Sequence, residues 1–309
     1  MKDKFRYIVL VFITTLLMGI AFPIGKIGLG YAPPFFLMAI RYLLAGGLQA
    51  LLAMGKPLPR GSKQWLQVAI IGLLQSAGVM GCVYYSMRWI TSGESAILTF
   101  VNPLLVIILG SVFTGSVYRT REWTGVAIGF IGVFVTFGAR MEINAGTFIC
   151  FMGAVFFAAA TLLVKRWGQV FRMEVLSAYQ MLAGGIGLLL LSAVAEHPYF
   201  NVTVTSLAVV LCLVILCSIV QFSLWFYLLR KGDPGKTSSF LFLAPFFGVL
   251  SSWLLLGEQV RWYVALGGTF ICGGVFLVNS KGKTWIRPKK KAALLLPAED
   301  ISIKFHGEK

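Results

Sequence analysis

Charge is scarce in this sequence, and acidic charge is the scarcer kind. Only 12% of the 309 residues are charged, with 11 Asp and Glu against 27 Lys and Arg, and the mean hydropathy is +0.84. A soluble domain carries about 25% charged residues because its surface faces water. The shortage excludes an ordinary soluble protein, and it leaves few carboxylates for acid and base catalysis.

Metal-binding and redox patterns are missing as well. The two histidines, His197 and His306, lie outside the apolar stretches, and no Cys-x-x-Cys pair is present. The cysteines all lie in apolar stretches, where buried structural thiols are the expectation. We therefore expect no metal ion and no cofactor. The five cysteines are Cys82, Cys150, Cys212, Cys217 and Cys272.

Long apolar runs are what the chain has in abundance, since 58% of its residues are hydrophobic. Each run has roughly 18 to 23 residues, the length that a helix needs to cross ~30 Å of hydrocarbon. The sequence therefore predicts an all-α integral membrane protein with ten transmembrane helices. The ten windows are 7–28, 34–54, 65–87, 94–114, 122–139, 146–164, 175–195, 206–229, 236–256 and 262–280.

The basic residues predict how these helices are oriented. Lys and Arg concentrate at the N-terminus, in every second loop and in the tail 281–309, whereas the opposite loops hold only Arg88, Arg140 and Arg261. The positive-inside rule then places both termini in the cytoplasm, with the protein in the inner or plasma membrane. The net charge of +16 is a topology signal and gives no reason to expect nucleic acid as a partner. The basic tail is expected to meet anionic lipid of the bilayer.

An internal repeat divides the chain in two. At an offset of 142 residues Pro, Gly and Arg recur in register without a gap, and near an offset of 138 Leu44–Ala45–Gly46–Gly47 recurs as Leu182–Ala183–Gly184–Gly185. We predict two five-helix halves, 1–140 and 141–280, followed by the tail. Five is an odd number, so the second half enters the membrane from the opposite side. Inverted repeats of this kind recur in secondary transporters. The matches at 142 are Tyr85, Arg88, Gly93, Phe100, Pro103, Gly115, Arg119, Gly125, Gly132, Val133 and Phe134 with Tyr227, Arg230, Gly235, Phe242, Pro245, Gly257, Arg261, Gly267, Gly274, Val275 and Phe276.

Several short motifs resemble one known family over residues 5–280. Each half is similar to an EamA-type repeat of the drug/metabolite transporter superfamily, although the Gly–Glu expected in the first half is Gly115–Ser116 here. The resemblance implies a ten-helix transporter for amino acids or similar metabolites, often an exporter. It names no substrate. The motifs are Gly19, Lys26, Arg41 before Leu44–Ala45–Gly46, Pro103, Pro245, Leu256–Gly257–Glu258, Gly267 and Gly273–Gly274.

Only two ionisable residues fall well inside a predicted helix, where a charge costs ~2.5–3.5 kcal/mol at the centre of the span. Arg41 lies about two turns into the second helix. Its guanidinium suits a substrate carboxylate, and it equally suits backbone carbonyls of neighbouring helices. Lys26 lies near the outer end of its helix, where we expect it to reach the interface. Glu94 is predicted to complete a capping box with Thr91 at a helix start.

Uncharged polar residues mark the remaining candidate site. Ser95, Thr99 and Asn102 share one face of the fourth helix, and Gln221 and Trp225 share one face of the eighth. Such groups can line a wet cavity or join helices, and both interpretations remain open. Pro103 and Pro245 are predicted to bend their helices beside the cavity. The predicted substrate-binding set is Arg41, Tyr42, Gln75, Asn102, Tyr179, Gln180, Gln221 and Trp225.

The function that these patterns favour is transport of a small polar metabolite, such as an amino acid, by alternating access. The alternatives are a membrane-embedded enzyme or a translocase acting on lipid-linked substrates, and a non-transporting scaffold or sensor. The shortage of buried acids, bases and nucleophile motifs counts against the enzyme. The substrate, the direction of flux and the coupling ion are not specified by the sequence, and a homodimer is left open.

Overall fold

The computed structural model describes residues 2–115, 118–136, 145–231 and 243–279. Within these ranges the chain is helical and contains no strand. Several sequence predictions lie outside the described residues: the loop position of Arg140, the ends of the fifth and tenth windows, the start of the ninth window, the repeat matches Gly235 and Phe242, and the tail 281–309.

Helices overlap every one of the ten predicted windows. Seven of those described are long and apolar enough to cross a membrane, and α9 and α10 are shorter apolar helices. Crossing of the membrane by ten helices remains a prediction. The helices are α1 Lys2–Gly28, α2 Pro34–Leu52, α3 Gly61–Ser86, α4 92–114, α5 Thr120–Thr136, α6 Ala145–Trp167, α7 Met173–Ala195, α8 204–231, α9 Leu243–Leu256 and α10 Trp262–Asn279.

Local sequence explains where several helices begin. Pro34 opens α2, at a position where its missing N–H costs nothing. The predicted capping box at α4 is confirmed: the Glu94 N–H donates to Thr91 Oγ1 at 3.1 Å, and the Thr91 N–H donates to the Glu94 carboxylate at 2.9 Å. Thr203 and Ser206 form an equivalent reciprocal cap at α8.

Small residues let pairs of helices approach closely. A methyl group at Gly46 of α2 would lie 2.9 Å from the carbonyl oxygen of Ala178 in α7, and one at Gly185 would lie 2.9 Å from Leu43. Residue numbers rise along α2 as they fall along α7, so the pair is antiparallel. Close approach of this kind is a common means of joining helices in membranes.

The α5–α10 pair follows the same rule, with glycines of one helix facing glycines of the other. A methyl group at Gly125 would lie 2.8 Å from Gly274 O, and one at Gly132 would lie 2.6 Å from Gly267 O. This pair is also antiparallel. A methyl group at Gly273 would enter open space, so this glycine takes no part in the contact.

Three helices depart from regular α geometry near mid-length. The segments Leu73–Gly78 in α3 and Cys212–Val220 in α8 are wound as π-helix. α4 is interrupted at Phe100 and Val101, between Ser92–Thr99 and Asn102–Thr114. Segments wound as π-helix are often found at functional sites, and interrupted membrane helices often mark transport sites.

Candidate functional site

Arg41 is buried in the middle of the helix assembly, with 3% of its surface exposed. Its Nε donates to Ser218 Oγ at 3.0 Å, and its Nη2 donates to the carbonyl oxygen of Cys217 at 2.7 Å. Both acceptors belong to the π-helical segment of α8. Its Nη1 donates to the Tyr84 hydroxyl at 3.3 Å. Arg41 therefore joins α2 to α8 and α3.

Tyrosines complete the Arg41 surroundings. The Tyr84 hydroxyl donates to Ala21 O at 2.8 Å, which extends the connection to α1. The guanidinium carbon of Arg41 lies 5.2 Å from the centre of the Tyr42 ring. A guanidinium has five N–H groups, and three of them are used by these protein acceptors. The contacts expected of a structural arginine are therefore present, and two N–H groups make no hydrogen bond to another described residue.

A second connection of the same design lies between α7 and α3. Ser76 Oγ, in the π-helical segment of α3, donates to Gln180 Oε1 at 2.9 Å, and both residues are buried. Ser76 and Ser218 are 142 residues apart, the offset of the internal repeat. Neither serine belongs to the set predicted from the sequence, which therefore missed Ser218. The repeat register would have found it.

The other polar residues of the predicted set have free hydrogen-bonding groups. Gln221 is 8% exposed, and Gln75 and Trp225 are half-buried. No hydrogen bond joins any of these three side chains to another described residue. Gln221 and Trp225 are one turn apart at the C-terminal side of the π-helical segment of α8.

Tyr179 belongs to a different environment. Its ring packs edge-on against Trp65, with the ring centres 5.0 Å apart, in a small apolar cluster that includes Phe171 and Leu176. The structure thus separates Tyr179 from its neighbour Gln180 by turning the two onto different faces of α7. A substrate role for Tyr179 remains a prediction.

The remaining predicted residues lie in α4, on either side of its interruption. Asn102 is 8% exposed, and its side-chain oxygen is the one buried side-chain polar atom without a hydrogen-bond partner in the described part of the chain. Ser95 and Thr99 are used in packing, since Ser95 Oγ lies 3.2 Å from Ser86 Oγ and Thr99 Oγ1 donates to Ser95 O. Pro103 directly follows the interruption.

The Arg41 connections and the α4 interruption meet the same short stretch of α1. Ala21 accepts the Tyr84 hydroxyl, and the ring centre of the next residue, Phe22, lies 6.1 Å from that of Phe100. These groups therefore occupy one region of the molecule. Pro245, the counterpart of Pro103, is the third residue of α9. The carbonyl oxygen of the preceding residue, Ala244, packs against Gly19 of α1.

Lys26 connects its helix to the end of another, and its expected position at the interface remains a prediction. Its ammonium group donates to the carbonyl oxygens of Met87 and Ile90, just beyond the end of α3. Those carbonyls have no helical partner, so a cation there satisfies them. The lysine therefore fastens α1 to the end of α3.

Two carboxylates that sequence reasoning did not assign hold helix starts at the same end of the molecule. Glu258 accepts from the Ser92 N–H at 3.0 Å, the Ser92 hydroxyl at 3.0 Å and the Gly93 N–H at 3.2 Å. Glu196 accepts from the Phe35 N–H at 3.1 Å. It also pairs with Arg88 at 3.3 Å. A carboxylate at a helix N-terminus is favourable because of the helix dipole.

No group of three or more His, Cys, Asp or Glu side chains suited to a metal ion occurs among the described residues. The chemistry that the central region offers is hydrogen bonding by guanidinium, amide, hydroxyl and carbonyl groups. Such an arrangement can bind a polar solute.

Comparisons with known proteins agree on one family. The chain is 26% identical over 262 residues to a chloroplastic WAT1-related protein of Arabidopsis thaliana, covering 80% of this chain but only 63% of that protein's length. It is 27% identical to an uncharacterized transporter of Archaeoglobus fulgidus over 87% of this chain and 96% of the relative. It is 29% identical to the uncharacterized inner membrane transporter YedA of Escherichia coli K12, over 78% and 81%.

One solved crystal structure shares the fold, with a TM-score of 0.64 at 20% identity over 88% of this chain and 96% of the other. The EamA-like transporter family model matches this sequence twice, at residues 5–138 and at residues 144–280. The chain is a multi-pass membrane protein and belongs to the EamA-like transporter family.

Proposed function

We propose that this transporter exports a small polar metabolite, such as an amino acid, by alternating access between two inverted halves. The observation that carries the proposal is the pair of matched connections at mid-length. Arg41 of α2 binds the π-helical segment of α8, and Gln180 of α7 binds that of α3. Each connection spans the two halves, as a site between inverted repeats must do.

The two halves are 1–140 and 141–280. Three observations support them: the offset of 142 residues, the two matches of the family model and the antiparallel contacts. In the offset register Gly125 corresponds to Gly267, and Gly132 corresponds to Gly274. The observed contacts join Gly125 to Gly274 and Gly132 to Gly267, as expected for two elements related by an axis in the membrane plane.

The proposed substrate site uses the predicted polar set. Arg41 offers its remaining N–H groups to a carboxylate, while Gln75, Asn102 and Gln221 offer amides that no protein group uses. Trp225 offers an aromatic face. Tyr42, Tyr179 and Gln180 complete the predicted set, with Gln180 acting through its hydrogen bond to Ser76.

The partners that we propose are the solute and the lipid bilayer, with no nucleic acid. We place the protein in the inner or plasma membrane with both termini in the cytoplasm. The oligomeric state that we keep as a candidate is a homodimer. A small-metabolite carrier needs no catalytic group, and none of the central groups forms a nucleophile–base pair among the described residues.

The test is flux in sealed proteoliposomes. Purified protein is reconstituted into vesicles, and the vesicles are loaded with a mixture of labelled amino acids. Their efflux is compared with that of protein-free vesicles and of vesicles that hold an Arg41→Met variant. Protein-dependent, saturable efflux that the variant lacks supports the proposal. Equal leakage from all three preparations contradicts transport, and chemical conversion of a lipid-linked compound by the same protein would favour an enzyme.

A further inference from the structure

The interruption of α4 leaves backbone acceptors without their usual donors. Residue 103 is proline and has no N–H, so the carbonyl oxygen of Thr99 cannot receive the helical hydrogen bond. The Leu104 N–H donates to Val101 O at 2.9 Å instead of to Phe100 O. Two consecutive carbonyl groups therefore leave the helix without an intrahelical donor.

This interruption is buried inside the protein. Thr99 is 2% exposed and Val101 is fully buried. Polar backbone groups within a membrane cost several kcal/mol each when they are unsatisfied, and such backbone is tolerated only in protein or beside a water-filled path. The position therefore calls for hydrogen-bond donors from something other than helical N–H groups.

Asn102 adds a third acceptor at the same point. Its side-chain oxygen is buried and has no partner. Gln49 provides a comparison within this chain, because it is also 8% exposed and its side-chain oxygen accepts from Ser177 Oγ at 2.8 Å. A buried amide whose role is structural finds a partner, as Gln49 does. Asn102 does not.

The second half has no equivalent amide. Residue 244 corresponds to Asn102 in the 142-residue register, and it is a fully buried alanine. The amide acceptor thus belongs to the first half only. The Arg41 guanidinium reaches the same stretch of α1 through Tyr84 and Ala21. The Arg41 connection and the α4 interruption thus meet two neighbouring residues of α1, Ala21 and Phe22.

We propose that the interruption of α4 binds an ammonium group of the transported solute, through the carbonyl oxygens of Thr99 and Phe100 and the Asn102 side chain. An ammonium group has three donors and no acceptor, which matches three acceptors supplied by four consecutive residues. The inference rests on the proposed transport function and specifies its substrate class as amine-bearing solutes.

The test uses solutes that differ in one group. L-Leucine, its desamino analogue 4-methylpentanoate and its decarboxylated analogue 3-methylbutylamine are added to detergent-purified protein, and affinity is measured from the concentration dependence of thermal stabilisation. Matched triplets for alanine, valine and phenylalanine extend the panel to other side chains. Wild-type protein should bind ammonium-bearing members roughly tenfold or more tightly than their desamino analogues, since hydrogen bonds to a charged group are strong.

The variants are Asn102→Leu, Asn102→Asp and the control Gln49→Leu. Asn102→Leu should abolish the preference for ammonium over desamino solutes, Asn102→Asp should keep or strengthen it, and Gln49→Leu should leave it unchanged. Preference that persists in Asn102→Leu, or wild-type protein that binds no ammonium-bearing solute, overturns the inference. Protein-dependent flux of an anionic or neutral solute in the vesicles would then leave the transport proposal standing.

Discussion

Replacing Arg41 by lysine separates geometry from charge at the centre of the molecule. The lysine keeps the positive charge but has a single nitrogen, whereas the three acceptors of Arg41 surround a planar fork. A single nitrogen cannot occupy the three positions from which Nε, Nη1 and Nη2 reach their acceptors, so we expect two of the three hydrogen bonds to be lost. Hydrogen bonds to a charged group contribute about 1.5–3 kcal/mol each, so the loss of two predicts a destabilisation of about 3–6 kcal/mol.

The first measurement is thermal unfolding of the purified protein without solute. The second is the affinity of the same sample for solute. The control is Arg88→Lys, because the Arg88 side chain is 42% exposed and lysine keeps the charge that faces the buried Glu196 carboxylate, so the expected loss is about 1 kcal/mol or less. We expect a large loss of stability only in Arg41→Lys. We also expect its surviving folded fraction to bind carboxylate solutes poorly.

Two results would refute the reasoning about Arg41. Equal stability of the Arg41 and Arg88 variants would show that the connection to the π-helical segment of α8 contributes little. Unchanged affinity for carboxylate solutes in a destabilised Arg41→Lys protein would show that the residue is structural and that the carboxylate binds elsewhere.

The remaining predictions concern stability and are read by thermal unfolding in detergent. Gln49→Leu should cost about 1–3 kcal/mol because it leaves the buried Ser177 hydroxyl without its acceptor; an unchanged melting temperature contradicts this. Gly132→Leu should prevent the α5–α10 contact and cost about 3 kcal/mol or more, whereas Gly273→Leu enters open space and should be tolerated; equal effects would mean that the helices pack differently. Glu258→Gln should cost about 1–3 kcal/mol by replacing a carboxylate that accepts three hydrogen bonds, and stability within error of the wild type would argue that this end is not held there.

Sequence reasoning succeeded where one local rule decides the structure. The capping box of Thr91 and Glu94 needs only four residues in order, and the apolar windows need only length and composition. The family, too, followed from short motifs spread along both halves. Each of these signals is complete within a short stretch of chain.

Features that depend on a partner from another helix were not predictable in the same way. Lys26 was assigned no partner, because the carbonyl oxygens that it meets come more than sixty residues later. Tyr179 and Gln180 are neighbours in sequence, yet only the packing of Trp65 and Ser76 shows that they face different surroundings. The π-helical segments have no composition that distinguishes them from the apolar α-helix around them.

The π-helical segments carry one further consequence, for rotation. In an α-helix each residue turns the chain by about 100°, so a segment that absorbs or releases one residue rotates everything beyond it by that angle. Conversion of the segment 212–220 from π to regular α geometry would turn Ser218 away from Arg41, while the remainder of α8 stays helical. The same change in 73–78 would turn Ser76 away from Gln180. Each half thus contains a π-helical segment at the level of its own connection, and one segment can change its winding while the other keeps its hydrogen bond.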